Sequence, residues 1–371
     1  MPDTLVVSTI ETPGKQIGHL HLNVPKALNS LSLEMIEGMM GQLGEWAADD
    51  DIAAVLIDGE GDRAFCAGGD IQALHASTAE VPGGRAPYAE RFFEMEYRLD
   101  YQIHTYSKPV VCWGNGIVMG GGLGIMSASS HGIASETSRL AMPEISIGLF
   151  PDAGTTWFLA HMPAHLAHFI ALTGCHLNGE DARLVGMVNH LVSSGDEPRL
   201  MASLAAVELT GDRVLDDGLL RGAIDGCSGD DMPPSELDRH NELVRTLVDV
   251  ALVADDPVAA FADAAAGLSD VDAWTERALG GFWNGCPTTA GIIFEQIARA
   301  RLMTLEETLQ MEFCLGCQCA WRLDFTEGVR ALLIDKDGNA DWQYPDHRAV
   351  PHDWVLAHFQ IDVANPLADL G

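Results

Sequence analysis

The chain has 371 residues, with 21 Lys and Arg against 54 Asp and Glu, and a formal net charge of −33. Its 47% hydrophobic and 20% charged content is that of a folded globular protein, not of a disordered polyanion or a membrane protein. The acid excess speaks against nucleic acid as a partner, because neutralising phosphates needs clustered Lys and Arg, and it sits awkwardly with any anionic ligand.

Residues 1–14 lack a basic stretch followed by an apolar core, so no secretory signal is expected. No run approaches the ~20 apolar residues of a membrane span, so no membrane partner is expected either. Cysteines stand at 66, 112, 175, 227, 286, 314, 317 and 319 and read as reduced thiols, which points to the cytoplasm.

In chain order, residues 5–10 and 17–22 read as a strand pair across Pro13-Gly14-Lys15. Ser32 caps a predicted helix over 33–48, with Glu34 in its first turn and Met35, Ile36, Met39, Met40 and Leu43 as its apolar stripe. Residues 53–57 form a buried strand, followed by a Gly-rich turn through Gly69. Helical patterns cover about 71–76 and 91–106. Residues 109–113 are another buried strand, 120–127 open a helix, and 133–134 and 140–141 are further strand pieces. This recurrence predicts an α/β core with parallel pairing. Strand-like runs become scarce after Ser193-Ser194-Gly195. The expected division is therefore 1–195 as the core with the site and 196–371 as a mostly helical region.

Two segments carry more glycine than packing needs: Phe65-Cys66-Ala67-Gly68-Gly69-Asp70 and the run Gly114-Asn115-Gly116 to Gly120-Gly121-Gly122-Leu123-Gly124. Each lies between a predicted strand and a helix. Small residues there let a ligand approach backbone N–H groups, and a pair of such turns can hold an oxyanion. The alternative is a pair of ordinary strand-to-helix turns. Neither fits a dinucleotide fingerprint, since Met119 occupies the third Gly position, and neither is a phosphate-binding Gly-Lys-Ser/Thr loop.

These turns, together with Met142-Pro143-Glu144-Ile145-Ser146-Ile147-Gly148-Leu149-Phe150-Pro151-Asp152, resemble the crotonase (enoyl-CoA hydratase/isomerase) superfamily, and within it the 3-hydroxyisobutyryl-CoA hydrolase branch. The segment Asn23 to Leu31 is similar to the family's N-terminal signature, with Val24 where Arg is usual. Asp324 to Asp337 is similar to the hydrolase branch's C-terminal signature. The resemblance implies a crotonase-like spiral of strand-strand-helix repeats with a helical C-terminal region. It also implies an acyl-CoA thioester substrate, hydrolysis of a short-chain 3-hydroxyacyl-CoA, and a role in valine catabolism. CoA is then part of the substrate, and no separate cofactor or metal is expected.

The resemblance assigns the oxyanion hole to the N–H groups of Gly69 and Gly121, one from each turn, with Ala67, Gly68 and Asp70 of the first turn as substrate-binding residues. A hydratase of this family uses two carboxylates, and its first acid position is Gly124 here; the second is Glu144. Asp152 stands where hydratases commonly have Gly. Glu144 is therefore the expected base or nucleophile, and Asp152 the group that anchors a substrate hydroxyl. Asp152 can also N-cap a helix starting at Ala153. Glu96 matches a substrate-contacting Glu, whereas Glu94 points elsewhere on the helix. Lys26 and Arg63 flank the binding signatures and are the candidates for the CoA phosphates. Thr155 and Thr156 stand where relatives often carry more Gly.

Other groups have plainer readings. Cys314, Cys317 and Cys319 fall in a helical pattern and read as packing residues, with no second Cys pair or His pair to complete a zinc site. His19 and His21 share the strand face opposite Leu20 and Leu22, without an evident third ligand. His131 reads as a turn residue, and His161 and His165 have helical spacing without the Glu of a zinc-protease motif. A hydratase or isomerase of the same fold, and a non-catalytic CoA-thioester binder, remain as alternatives. The family fold commonly forms trimers and hexamers, so a homo-oligomer stands beside a monomer as an expectation.

Overall fold

The computed structural model describes residues 3–229 and 231–371. Two compact units interleave along the chain. The first falls within 1–69, 98–140 and 177–235, and the second within 70–97, 141–176 and 236–371.

The first unit holds the sheets. Its strands are β1 (Leu5–Ile10), β2 (Gln16–Leu22), β3 (Ile52–Gly59), β4 (Ala64–Cys66), β5 (Val110–Gly114), β6 (Ile117–Met119), β7 (His131–Ala134), β8 (Arg139–Ala141) and β9 (His190–Leu191). Six of them form one sheet in the order β1-β2-β3-β5-β7-β9, and β4-β6-β8 form a second. Only the β1–β2 hairpin of the large sheet is antiparallel; β2–β3, β3–β5, β5–β7 and β7–β9 run parallel. The β3 sequence Ile-Ala-Ala-Val-Leu-Ile is buried throughout, as a parallel strand covered on both faces must be.

One face of this sheet is closed by the helices Glu197–Ala205 and Arg213–Asp225. Leu200, Leu204, Leu220 and Ile224 share a core with Ile17, Leu56, Val111 and Trp113. The helix Leu33–Ala48 packs its stripe Met35, Ile36, Met39 and Leu43 fully inside. Each such side chain contributes roughly 1.5–3 kcal/mol of burial. Ser32 accepts the Met35 N–H at 3.2 Å, as expected of the cap. Gly18 is required where that helix meets β2, because a Cβ there would lie 2.6 Å from the Trp46 ring.

The second unit is helical. Its long helices include Pro287–Ala300 and Leu305–Ala320, which bury residues on nearly every face. Shorter helices, Thr155–His161 and Ala164–Thr173, follow the acid-bearing loop. Gly148, at φ 69°, sits where a Cβ would lie 2.7 Å from the Asp324 backbone, so the loop after Glu144 is pressed against the C-terminal signature.

The structure has the α/β character expected from the alternation of strands and helices. The compositional change near 195 follows the last strand of the sheets, which ends at Leu191. Two short strands, β4 and β6, lie inside the glycine-rich segments that read as turns. They are three residues each, too short for an alternation to register. His131 begins β7 and is fully buried, so its reading as a turn residue is corrected. His161 and His165 lie on separate helices, because Pro163 at the N-terminus of the second ends any helical spacing between them.

Candidate functional site

Within the first unit the two glycine turns meet. Gly68 has φ 97°, and a Cβ built on it would lie 3.2 Å from the Met119 carbonyl oxygen and 3.7 Å from the Gly121 nitrogen. Any side chain at 68 would be strained in conformation and would push the turns apart. Gly122 is tighter still, its Cβ position 2.4 Å from the Cys66 oxygen. Gly120, at φ 49°, leads into the helix Gly121–Ala128, so Gly121 opens a helix whose first N–H groups lack intrahelical partners.

The N-terminal signature supports this turn from below. Leu31 N–H donates to the Gly68 oxygen at 2.9 Å, and Ala67 N–H donates to the Leu28 oxygen at 3.0 Å. Asn29 is buried; its Nδ2 donates to the oxygens of Glu60 and Ala64, and its Oδ1 accepts the Val24 N–H. Lys26 and Arg63 are exposed. Gly124 is buried in the helix that Gly121 opens, and it offers no titratable group.

The acids gather in the second unit. Glu144 begins a short helical turn, Glu144–Ile147, and is 5% exposed; Asp152 is 5%, Glu96 4% and Glu312 0% exposed. Burial first, and then the Asp152 charge, push the Glu144 carboxyl well above the usual carboxylate range. Burial raises Asp152 to about 6, against a hydrogen bond from the Tyr97 hydroxyl at 2.7 Å that favours its charged form. Glu96 is pushed well up by burial and by the charges of Asp152, Glu144 and Glu312. Glu144 Oε2 and Glu96 Oε1 are buried with no hydrogen-bond partner among the described residues. A buried acid held partly protonated beside another is the environment of a base or nucleophile active near neutral pH.

Asp152 does not cap a helix through its side chain. The helix starts at Thr155 with Gly154 before it, and the Asp152 carboxylate turns instead to Tyr97. The following turn is fixed by Glu312, which accepts the Gly154 N–H at 2.8 Å and the Thr156 N–H at 3.1 Å. Gln296 Nε2 holds the Pro151 oxygen at 3.1 Å. Asp70 caps the helix Ile71–Ala79 by accepting the Ala73 N–H at 3.1 Å through Oδ1. Glu94 pairs with Arg91 at 3.1 Å, away from the buried acids.

Cys314, Cys317 and Cys319 are free and buried, and burial pushes their thiols up, to about 11 for Cys314. They behave as small apolar residues, as expected. His19 and His21 do have a third potential ligand, which the spacing within their own strand does not reveal: Asp58, on the neighbouring strand.

The family profile described as enoyl-CoA hydratase/isomerase matches residues 17–359. The chain belongs to this family. Among curated relatives, it is 36% identical to "3-hydroxyisobutyryl-CoA hydrolase, mitochondrial" of Xenopus tropicalis over 345 residues, 92% of this chain and 86% of the relative. It is 37% identical to the protein of that name from Danio rerio over 328 residues, 88% of this chain and 82% of the relative. Among solved structures, a carnitinyl-CoA dehydratase from Mycobacterium thermoresistibile superposes with a TM-score of 0.86 at 30% identity, covering 99% of this chain and 100% of that one. An enoyl-CoA hydratase from Rhodobacter sphaeroides 2.4.1 gives 0.82 at 28% identity, covering 96% and 97%.

In this member of the family three polar residues escape sequence reasoning: Asn29 beside the first glycine turn, and Tyr97 and Glu312 among the buried acids. Asn29 stands inside a quoted signature, and Tyr97 directly follows Glu96. Glu312 is one acid among 54, and only its place amid Met311, Phe313 and Leu315 in a helix apolar on most faces marks it as buried.

Proposed function

We propose that this protein hydrolyses a short-chain 3-hydroxyacyl-CoA of the 3-hydroxyisobutyryl-CoA type to the free hydroxy acid and CoA, a step of valine catabolism. The observation that carries this reading is the buried pair Glu144 and Asp152 in a chain that has Gly124 where a hydratase has its first acid. One buried, elevated carboxylate suits attack on, or water activation at, a polarised carbonyl; adding water across a double bond in the two-acid manner needs the missing partner.

In the mechanism that the family resemblance implies, the thioester oxygen lies on the N–H groups of Gly69 and Gly121, one from each glycine turn, with Ala67, Gly68 and Asp70 beside the first. These donors stabilise the negative charge that develops during attack, each contributing about 2.7–4 kcal/mol. Glu144 either attacks the carbonyl carbon or removes a proton from a water that does. In the first route the C–S bond breaks, CoA leaves as the thiol after protonation, and water cleaves the resulting anhydride. In the second, hydroxide displaces the thiolate directly. Both consume one water and yield one acid and one CoA. Asp152 accepts a hydrogen bond from the 3-hydroxyl, Glu96 contacts the substrate, and Lys26 and Arg63 meet the CoA phosphates.

Incubation with 3-hydroxyisobutyryl-CoA and a thiol reagent tests the reading: free CoA above background is expected. The second reading, hydration or dehydration, is favoured by the names of the two superposed structures. It predicts loss of enoyl absorbance from crotonyl-CoA instead.

All eight cysteines are buried thiols, which supports a reducing compartment, here proposed as the cytoplasm, while the relatives' names place those proteins in mitochondria. No described helix is long and apolar enough to cross a membrane. A homo-oligomer is proposed from the habit of the fold, and sedimentation measures it directly.

A further inference from the structure

His19 and His21 leave the same face of β2, and Asp58 stands beside them on β3, in register with His21. His19 Nε2 lies 2.8 Å and His21 Nδ1 2.6 Å from the same oxygen, Asp58 Oδ1. These three atoms all fall within 4.8 Å of one another. Each imidazole gives one nitrogen to Asp58 and turns the other outward to a fixed partner. His21 Nε2 is 3.0 Å from Glu60 Oε2, and His19 Nδ1 is 3.4 Å from Ser8 Oγ.

This two-shell arrangement is that of a metal-binding histidine, whose free ring nitrogen is usually held by a carboxylate or another polar group. We propose that His19 Nε2, His21 Nδ1 and the Asp58 carboxylate bind one divalent transition-metal ion of the zinc class. The site takes no part in the proposed thioester cleavage.

Imidazole nitrogens select this class over magnesium or calcium, which favour oxygen ligands. Metal–ligand bonds of about 2.0–2.1 Å place tetrahedral ligands roughly 3.3 Å apart, so the two histidine–Asp58 gaps must widen by roughly 0.5–0.7 Å and the two imidazole nitrogens, now within 4.8 Å of each other, must reach the same spacing. The rings are about one-fifth exposed and can give way, and Asp58 is nearly buried and cannot stray far. Three ligands leave a position for water. Glu60 faces His21 directly, and Glu197 adds negative charge near Asp58 and His21.

Without metal the same atoms form a hydrogen-bonded network centred on Asp58.

Calorimetric titration of the chelator-stripped, untagged full chain with ZnCl2 alone at pH 8 tests the proposal. One equivalent is expected to bind at micromolar Kd or tighter, and Mg2+ to give no binding. His19→Ala and His21→Ala are each expected to weaken zinc binding at least ~30-fold, and Glu60→Gln about 10-fold. Co2+ on the wild-type chain supplies a second readout, with visible d–d bands that zinc abolishes. Zinc uptake weaker than ~100 μM, or uptake unchanged in both histidine variants, overturns the proposal and leaves a hydrogen-bonded His–Asp–His network.

Discussion

Glu312 accepts the Gly154 N–H at 2.8 Å across 158 positions of sequence, and its other oxygen accepts the Thr156 N–H at 3.1 Å. The clamped turn directly follows Asp152 and contains two left-handed residues, Ala153 at φ 55° and Gly154 at φ 77°. For Ala that conformation costs roughly 1–2 kcal/mol, so an external hold is what keeps the turn, and with it the Asp152 carboxylate, in place.

Burial raises the Glu312 carboxyl to about 8. An acid held up in the folded state keeps a proton that the unfolded chain releases above its ordinary value of 4.5. Stability therefore falls as pH climbs from about 4.5 to 8, and levels off above that. Urea unfolding at pH 5 and pH 8.5 should show wild type losing on the order of 3–5 kcal/mol more than Glu312→Gln over that interval. Parallel losses in the two proteins assign the slope to other groups.

Tyr97→Phe removes the hydroxyl that donates to Asp152 at 2.7 Å. That hydrogen bond opposes the upward push of burial on Asp152, so its loss moves the carboxyl above about 6. A charged hydrogen bond is worth about 1.5–3 kcal/mol, which predicts a 10- to 100-fold loss in kcat/KM for the 3-hydroxyacyl ester at pH 6.5. The loss should shrink toward pH 9, where Asp152 ionises regardless. A loss independent of pH would assign Tyr97 to packing alone.

Glu144→Gln should retain CoA-ester binding and lower turnover by at least ~10²–10⁴-fold. Since Glu144 is held well above the usual range, wild-type kcat/KM should level off at a pH well above the ordinary carboxylate value of 4.5. Near-wild-type turnover in the variant means another carboxylate does the work. Hydrolysis in labelled water, followed by mass analysis of Glu144 after one turnover, separates the routes: label in Glu144 marks the anhydride.

The net charge of −33 opposes a polyanionic substrate at long range. Salt screens such repulsion, with a Debye length of about 10 Å at 0.1 M against 30 Å at 0.01 M. KM for the CoA ester should therefore fall between these two salt concentrations, with kcat little changed. An unchanged or rising KM places the dominant interaction at local cations such as Lys26 and Arg63.

What the sequence disclosed of the fold follows from how strongly each segment is patterned. The helix Leu33–Ala48 and the strand Leu5–Ile10 have the bounds expected, because a Ser cap and a run of apolar residues mark them locally. The strands β4 and β6 did not show, since three residues inside a glycine-rich stretch carry no period. Segments from 70–97, 141–176 and 236–371 make one unit, an assembly that no local composition signals.

The candidate site divides in the same way. Gly68, Gly69, Gly121, Glu144 and Asp152 stood in contiguous motifs and were readable together with Gly124. Glu312 and Asp58 acquire their meaning only from partners far along the chain. In sequence Asp152 admits a second reading as the N-cap of a helix beginning at Ala153; the helix starts at Thr155, and the carboxylate accepts from Tyr97 instead.

The most direct test of the central claim is release of CoA from 3-hydroxyisobutyryl-CoA, followed with a thiol reagent and compared with crotonyl-CoA hydration in the same preparation. The account predicts steady CoA release that Glu144→Gln abolishes, with little or no loss of enoyl absorbance. No CoA above background, together with rapid hydration of crotonyl-CoA, would contradict it.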